Sequence, residues 1–345
     1  MLPDGHGARV VPAGSVGALR EAGAAHARVQ KTEWKSNRMQ PLNRRDFMVA
    51  GAASATAAGT AAAQPPAPRY RKGFWCMGFP KTMPYVECFR QLRNAGFEGF
   101  DIQLGDEIKL SSPLDQVKRL ADDARKAGVT IVSMYVAEGL NANPLNDPSP
   151  DVRAKGVAAV EKAIQFATYL DHCPLLLVPG RLGSGAKFQF GYQDTWDRAT
   201  AEFRKLIPRA AEARVIIGPE NLWNKFLLSP IEMRSFVDQF KSPWVKVHFD
   251  VANPMQYGYP QDWIMTLGQR ITRVHLKDYK LSARSEQGRF VDLLEGDVDW
   301  KEVMACLGKT GYSGFLSVEA TQDPKDPDRL MKISRAVDKI LAMAG

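Results

Sequence analysis

Residues 245–278 read VKVHFDVANPMQYGYPQDWIMTLGQRITRVHLKD, and the way this stretch divides decides the fold. Its first six residues are an apolar strand that closes on Asp250. A helix is expected over 263–268, ending at Gly268. A second apolar strand, 271–276, carries His275 near its end. Strand, helix and strand in so short a span, with a chemically active side chain at the C-terminal end of each strand, form the repeating unit of a parallel sheet.

The same alternation runs outward in both directions. Upstream, strands are expected at 73–79, 97–104, 129–135, 175–178 and 214–217. Helices are expected at 85–94, 113–126, 150–169, 193–213 and 230–240. Gly96 and Gly128 follow the first two helices, where a left-handed residue ends a helix. Downstream come a helix at 299–308, a strand at 315–319 and a helix at 327–343, with Asp326 placed to cap it and Pro327 at its first position. Eight strand–helix pairs in some 270 residues predict an α/β chain folded as one (β/α)8 TIM barrel over residues 73–345. An open doubly wound sheet would place a glycine-rich phosphate loop after its first strand, but here Gly78-Phe79-Pro80 follows. The long segments 136–149, 180–192 and 278–298 follow strands three, four and seven, on the face where such barrels carry chemistry.

Composition narrows the functional classes. With 45% hydrophobic and 24% charged residues in 345, the chain is neither disordered nor a coiled coil. No run of ~18 apolar residues is present, so no membrane span is expected after signal removal. Residues 1–63 hold eight of the 46 Lys+Arg and four of the 38 Asp+Glu. The remaining 38 and 34 nearly balance, which argues against a nucleic-acid partner. Cys76, Cys88, Cys173 and Cys306 form no CxxC pair and read as small buried side chains.

Residues 43–63, NRRDFMVAGAASATAAGTAAA, place Arg44-Arg45 before a 17-residue uncharged, Ala-rich stretch that ends in Ala61-Ala62-Ala63. This resembles a twin-arginine export signal over 39–63. Met39 is a natural start for it, so 1–38 reads as a non-native or disordered extension and 64–72 as a linker. Export by the twin-arginine route and a periplasmic location are the expectation.

Four polar residues converge if the barrel closes: Glu220, Asp250, His275 and Glu319 end strands five to eight. Three carboxylates crowded around one imidazole need a cation to stay ionised. Oxygen-rich sites with one nitrogen suit Mn²⁺, Mg²⁺, Co²⁺ or Zn²⁺. Each residue alone has a plainer reading: Glu220 as a solvated turn, Asp250 as a cap, His275 as a core histidine, Glu319 in a salt bridge. Their common position at strand ends favours function. His248, two residues before Asp250, faces the same side but deeper, and reads as a hydrogen-bonded layer residue. Lys277 shares the parity of His275 and is placed to reach substrate oxygen. Glu138 lines the pocket or faces solvent with equal weight. Trp75, Phe79, Trp223 and Tyr257 form either a wall for a sugar ring or ordinary core.

With GPEN at 218–221, FDVAN at 249–253, RVHLKD at 273–278, EGDVDW at 295–300 and FLSVEA at 315–320, the chain resembles the sugar isomerase/epimerase superfamily of xylose isomerase-like barrels. That superfamily includes hydroxypyruvate isomerases, ketose 3-epimerases and inosose dehydratases. The resemblance covers most of 73–343. It implies one divalent metal ion, Mn²⁺ first among the candidates, held by Glu220, Asp250, His275 and Glu319. It also implies that Glu220 and Glu319 are the catalytic acid/base pair, moving a proton beside a carbonyl through a metal-stabilised enediolate. Asn253, Lys277, Glu138 and Trp223 are the residues expected on the substrate. Asn253 stands where ketose epimerases often have His, and Leu281 where they often have Arg, with Arg284 the nearest arginine. The HLKD spelling looks more like inosose dehydratase-type relatives. The expected activity is therefore isomerisation or epimerisation of a keto-sugar or sugar derivative. A lyase or dehydratase on the same site, inosose dehydratase-like or eliminating from a 3-keto-glycoside, is the first alternative, and a non-catalytic exported sugar-binding protein the second. A phosphodiesterase like the apurinic-site endonucleases ranks low, because only three His follow residue 63. The partner is a small carbohydrate, and the sequence leaves room for a homo-oligomer or for a partner subunit that completes the pocket.

Overall fold

The computed structural model describes residues 69–344, apart from 185, 283–287 and 320–324. The expected extension, the export signal and residues 64–68 of the linker lie outside the described residues, as does Arg284. Eight parallel strands make the barrel: β1 (Tyr70–Trp75), β2 (Gly99–Gln103), β3 (Thr130–Tyr135), β4 (Leu175–Leu177), β5 (Ile217–Pro219), β6 (Val247–Asp250), β7 (Ile271–Leu276) and β8 (Gly314–Val318). Their spatial order is β5-β4-β3-β2-β1-β8-β7-β6. Single bridges, Ile217 to Val245 and Glu220 to His248, join β5 to β6 and close the ring. That seam carries the sparsest backbone pairing in the barrel.

Each strand is followed by a helix: α1 (Tyr85–Asn94), α2 (Leu114–Lys126), α3 (Pro150–Ala167), α4 (Tyr192–Ala213), α5 (Pro230–Asp238), α6 (Pro260–Leu267), α7 (Trp300–Lys309) and α8 (Arg329–Ala342). The expected (β/α)8 barrel is the observed fold. Helices cover the outer face and side chains fill the inner one, so strands such as β4 are wholly buried and wholly apolar. Aromatic rings fill the shell between layers. Phe74 meets Phe97 edge-on at 5.4 Å beside α1, and Trp196 and Phe203 pack on Phe236 at 5.4 and 5.3 Å between α4 and α5. All four cysteines are unpaired and buried, as their scatter suggested.

Several boundaries differ from expectation by a few residues, and three have a plain physical reason. β1 starts at Tyr70, not 73, because Lys72 turns its charge outward to Ser334 and Asp338 on α8 (2.8 Å each) and so permits strand pairing of a polar stretch. The fifth strand is not 214–217: Arg214 is the left-handed C-cap of α4 (φ 53°), and the strand starts at Ile217. The last helix starts at Arg329, without the expected Asp326 cap. Asp326 instead accepts from the Asp328 N–H (2.9 Å) and pairs with Lys332, a local turn that competes with helix initiation.

Two catalytic-face loops contain short antiparallel hairpins, Gly183–Ser184 with Lys187–Phe188 and Asp278–Lys280 with Arg289–Val291. The second loop is organised by one buried carboxylate. Asp278 accepts from the N–H groups of Tyr279 (2.8 Å), Leu294 (2.9 Å) and Val298 (3.3 Å) and from the Trp300 indole (2.9 Å). A Cβ on Gly296 would sit 1.9 Å from that carboxylate. The RVHLKD and EGDVDW stretches are thus two halves of one structural unit.

Candidate functional site

Glu220 follows β5 directly, Asp250 ends β6, His275 is the last residue but one of β7, and Glu319 follows β8. Strand parity and the common end of the barrel bring all four to one mouth. One ligand atom each from Glu220, Asp250 and His275 lie within 4.8 Å of one another, and all three residues are buried. His275 Nδ1 is 3.6 Å from Glu220 Oε1 and 3.9 Å from Glu319 Oε2. Glu319 is the rim member, with a third of its side chain exposed. Lys277 reaches the same group: its Nζ lies 2.6 Å from Glu319 Oε2 and 3.3 Å from Asp250 Oδ2.

Asp250 divides its work between two oxygens. Oδ1 accepts from the N–H groups of Ala252 (2.9 Å) and Asn253 (2.7 Å), so the plainer capping role is real. Oδ2 has no hydrogen-bond partner among the described residues and remains turned to the cluster. Asn221 holds Asp250 from across the seam. Its Oδ1 accepts from the Asp250 N–H (2.8 Å) and its Nδ2 donates to the Asp250 carbonyl (2.9 Å). That amide pairs β5 with β6 at the rim where the backbone ladder is sparse. Sequence reasoning quoted Asn221 within GPEN without assigning it a task.

The electrostatics of the cluster point one way. Burial pushes the Glu220 carboxyl above the usual carboxylate range, with His275 pulling it back and Asp250 and Glu319 adding repulsion. Burial opposes the charge on His275, but Glu220, Asp101 and Glu319 outweigh it and raise the imidazole to about 9. Lys277 is likewise held charged against burial by Asp250 and Glu319. Every shift reports the same demand for positive charge among buried carboxylates. A divalent cation meets that demand. The buried Asp250 Oδ2, which makes no aligned hydrogen bond, the His275 imidazole once it gives up its proton, and a donor set of oxygens with one imidazole fit such an ion.

A cavity of about 150 Å³ opens over the cluster, walled by Trp75, Tyr135, Leu176 and Leu222 with Glu220, His275, Lys277 and Glu319 at its polar end. Trp75 meets the His275 ring edge-on at 5.0 Å and Tyr135 at 5.9 Å, so it belongs to the wall. Of the residues expected on substrate, Lys277 alone lines this cavity. Glu138 turns away: its Oε2 accepts from the Leu110 N–H (2.6 Å) and fastens the loop after β2. Asn253 is buried in the turn after β6, donating from Nδ2 to the Asn221 carbonyl (2.8 Å). Trp223 donates its indole N–H to the Asn253 carbonyl (2.6 Å) and stacks on Phe290 at 4.9 Å. Phe290 in turn lies 4.6 Å from Lys277 Nζ. These residues shape the site's frame. His248 is buried beneath His275, ring centroids 4.3 Å apart, but neither of its nitrogens has the hydrogen bond expected of a layer residue. Tyr135 and Asp101 were not singled out from sequence, because inward parity on a wholly buried strand marks core and site alike.

A parallel barrel with carboxylates and an imidazole at the C-terminal ends of β5 to β8 defines the class: a TIM barrel with a candidate metal site at its mouth. Residues 89–339 match the family described as xylose isomerase-like TIM barrel, and the chain belongs to it. Among curated relatives, L-ribulose-5-phosphate 3-epimerase UlaE of Escherichia coli O1:K1 / APEC is 25% identical over 276 residues, covering 76% of this chain and 93% of that protein. Among solved structures, D-psicose 3-epimerase from Clostridium cellulolyticum H10, crystallised with D-tagatose, superposes with a TM-score of 0.66 at 17% identity, covering 79% and 99%. An L-ribulose 3-epimerase gives 0.65 at 18%, covering 80% and 95%.

Proposed function

We propose that this protein epimerises or isomerises an unphosphorylated keto-sugar or sugar derivative by proton transfer at the carbon beside its carbonyl, with one divalent metal ion bound. The observation that carries the reading is the convergence of Glu220, Asp250 and His275 within 4.8 Å, with Glu319 3.9 Å from the same imidazole. Glu220, Asp250, His275 and Glu319 are the residues that would hold the ion, Mn²⁺ first among Mg²⁺, Co²⁺ and Zn²⁺. Bound there, the cation supplies electrophilic polarisation of the substrate's carbonyl. Glu220 and Glu319 are the two carboxylates placed to exchange protons with the substrate. One takes the proton as a carboxylate, and the other, protonated, delivers one to the opposite face. Burial that lifts the Glu220 carboxyl makes it a stronger base toward a carbon acid. Lys277 is positioned to donate hydrogen bonds to a substrate oxygen. Trp75, Tyr135 and Leu222 exclude water.

An unphosphorylated substrate follows from the cavity's charge. Lys277 is the one lysine or arginine among its lining residues, Asp250 and Glu319 already pair with it, and His275 gives up its charge when it takes the ion. The test is proton NMR in D₂O of the Mn²⁺-loaded protein with D-psicose, D-tagatose and L-ribulose. Exchange of one substrate C–H with conversion between epimers is expected. Glu220→Gln and Glu319→Gln should each slow it by roughly 10²–10⁴-fold. Loss of water or of an aglycone would make the protein a lyase instead, and ligand binding without exchange a binding protein. We also propose twin-arginine export. Replacing Arg44 and Arg45 by lysine should retain the protein in the cytoplasmic fraction, and unchanged partitioning would refute the route.

A further inference from the structure

Beneath the site, inside the barrel, a set of polar groups lacks the partners that burial requires. Asp101 on β2 and His248 on β6 are wholly inaccessible, and His275 above them nearly so. Asp101 Oδ2, both nitrogens of His248 and both nitrogens of His275 have no hydrogen-bond partner among the described residues. Buried polar atoms rarely stay unpaired, because each costs roughly 1–3 kcal/mol. One from each of the three residues lies close enough to the others to call for a common partner. The Ser133 hydroxyl donates to the other oxygen, Oδ1, of Asp101. The Ser317 hydroxyl lies beside the same carboxylate without forming an aligned hydrogen bond.

One ligand atom each from Asp101, His248 and His275 lie within 4.8 Å of one another. Three atoms so spaced surround a point no more than about 2.8 Å from any of them, within hydrogen-bonding reach of a single group placed there. We propose that this point holds one ordered water, and that through it Asp101 and His248 fix the imidazole of His275 in the tautomer and orientation that present Nδ1 to Glu220 and Glu319. A water with three polar partners matches the usual bonding of buried water. A second cation fits less well. The Arg273 guanidinium already supplies positive charge to Asp101 and His248 from β7. Asp101 and His248 are therefore positioning residues, acting on the reaction only through His275. A metal-ligating histidine commonly needs a second contact on its other nitrogen, and losing that contact weakens the metal roughly 10–100-fold.

The inference rests on the metal reading for its consequence, but not for its test. The first measurement uses ¹⁵N-histidine-labelled, metal-free protein at a pH above 9, where His275 is neutral. A single His275 tautomer is expected in the wild type and a mixture in Asp101→Asn. The second is Mn²⁺ titration by calorimetry, where Asp101→Asn should bind roughly 10–100-fold more weakly. Asp101→Glu is expected to recover part of the affinity. Ser133→Ala guards against a folding failure: it leaves the carboxylate in place but loosens it, and should weaken Mn²⁺ by a smaller factor with an unchanged circular dichroism spectrum. Unchanged tautomer and unchanged Mn²⁺ affinity in Asp101→Asn would overturn the proposal. Two Mn²⁺ per chain, falling to one in His248→Gln, would replace the water with a second ion and also overturn it. A wild type that binds no metal but shows the tautomer change would defeat the proposed function while leaving the buried water in place.

Discussion

At the scale of single residues, the site is a balance between carboxylates and the positive charges that pacify them. His275 shows that balance, since the surrounding carboxylates raise its pKa from 6.5 to about 9 without metal. A group whose folded pKa is raised adds stability that is complete below its unfolded pKa and vanishes as pH rises through the folded value. Metal-free protein should therefore lose stability between about pH 6.5 and 9 in thermal melts. A cation that takes the imidazole must displace its proton, so Mn²⁺ affinity should rise with pH by up to about tenfold per unit and level off near 9. Calorimetry in buffers of different ionisation enthalpy reads the released proton directly, and a buffer-independent heat at pH 7 would remove His275 from the ligand set. Asn221 is the residue whose loss should cost most without touching chemistry. Asn221→Ala orphans the Asp250 N–H and carbonyl, each worth roughly 1–3 kcal/mol when buried and unpaired. Lower stability together with weaker Mn²⁺ binding is expected in urea titrations and calorimetry. A stable variant with normal affinity would show that the seam does not position Asp250.

At the scale of elements, what sequence could and could not show divides along the backbone. Strand β7 and helix α1 lie over the residues read from pattern, 271–276 and 85–94, because each starts close after a glycine or proline, Gly268 and Pro84, and is filled by regular periodicity. β5 shifted because Val215 and Ile216 look like strand, whereas the left-handed turn at Arg214 takes two residues to re-enter the barrel. The four strand-end residues were legible because parity and strand ends are local properties. The placing of Glu138, Asn253 and Trp223 was not, because they spend their polar atoms on loop backbone chosen by tertiary position. The loop after β7 is the clearest case. Asp278 reads as part of a motif at a site, yet its four hydrogen bonds make it the anchor of 278–300. Gly296→Ala drives a methyl group into that carboxylate and within 2.8 Å of the Tyr279 nitrogen. A destabilisation of about 1–3 kcal/mol is expected in urea, with Phe290 released from Lys277 and Trp223 fluorescence altered. A change below about 0.5 kcal/mol would mean the loop re-forms around the methyl group at no cost.

At the scale of the molecule, the ligands and the weakest seam coincide. Glu220 belongs to β5, while Asp250, His275 and Glu319 come from β6, β7 and β8 on the other side of the β5–β6 junction. That junction has two isolated backbone bridges and the Asn221 amide, where pairs such as β1 and β8 share a ladder of five consecutive residues. A cation held by all four residues would therefore cross-link the barrel where its own hydrogen bonding is thinnest. Binding to the folded state alone stabilises by RT ln(1 + [L]/Kd), about 2.7 kcal/mol at a hundredfold excess over Kd. For a domain of this size that corresponds to several degrees in Tm. Thermal melts of chelator-treated protein with and without Mn²⁺ should show this rise, and His275→Ala should abolish it. Hydrogen exchange locates the effect: added protection should concentrate at the Ile217 and Lys246 amides, which bond across the β5–β6 seam to the Trp244 and Ile217 carbonyls. Protection spread evenly over the barrel, with no excess at the seam, would place the ion elsewhere even if Tm rises. Protection confined to the seam would tie the metal's stabilising effect to the same four strand ends that its chemistry requires.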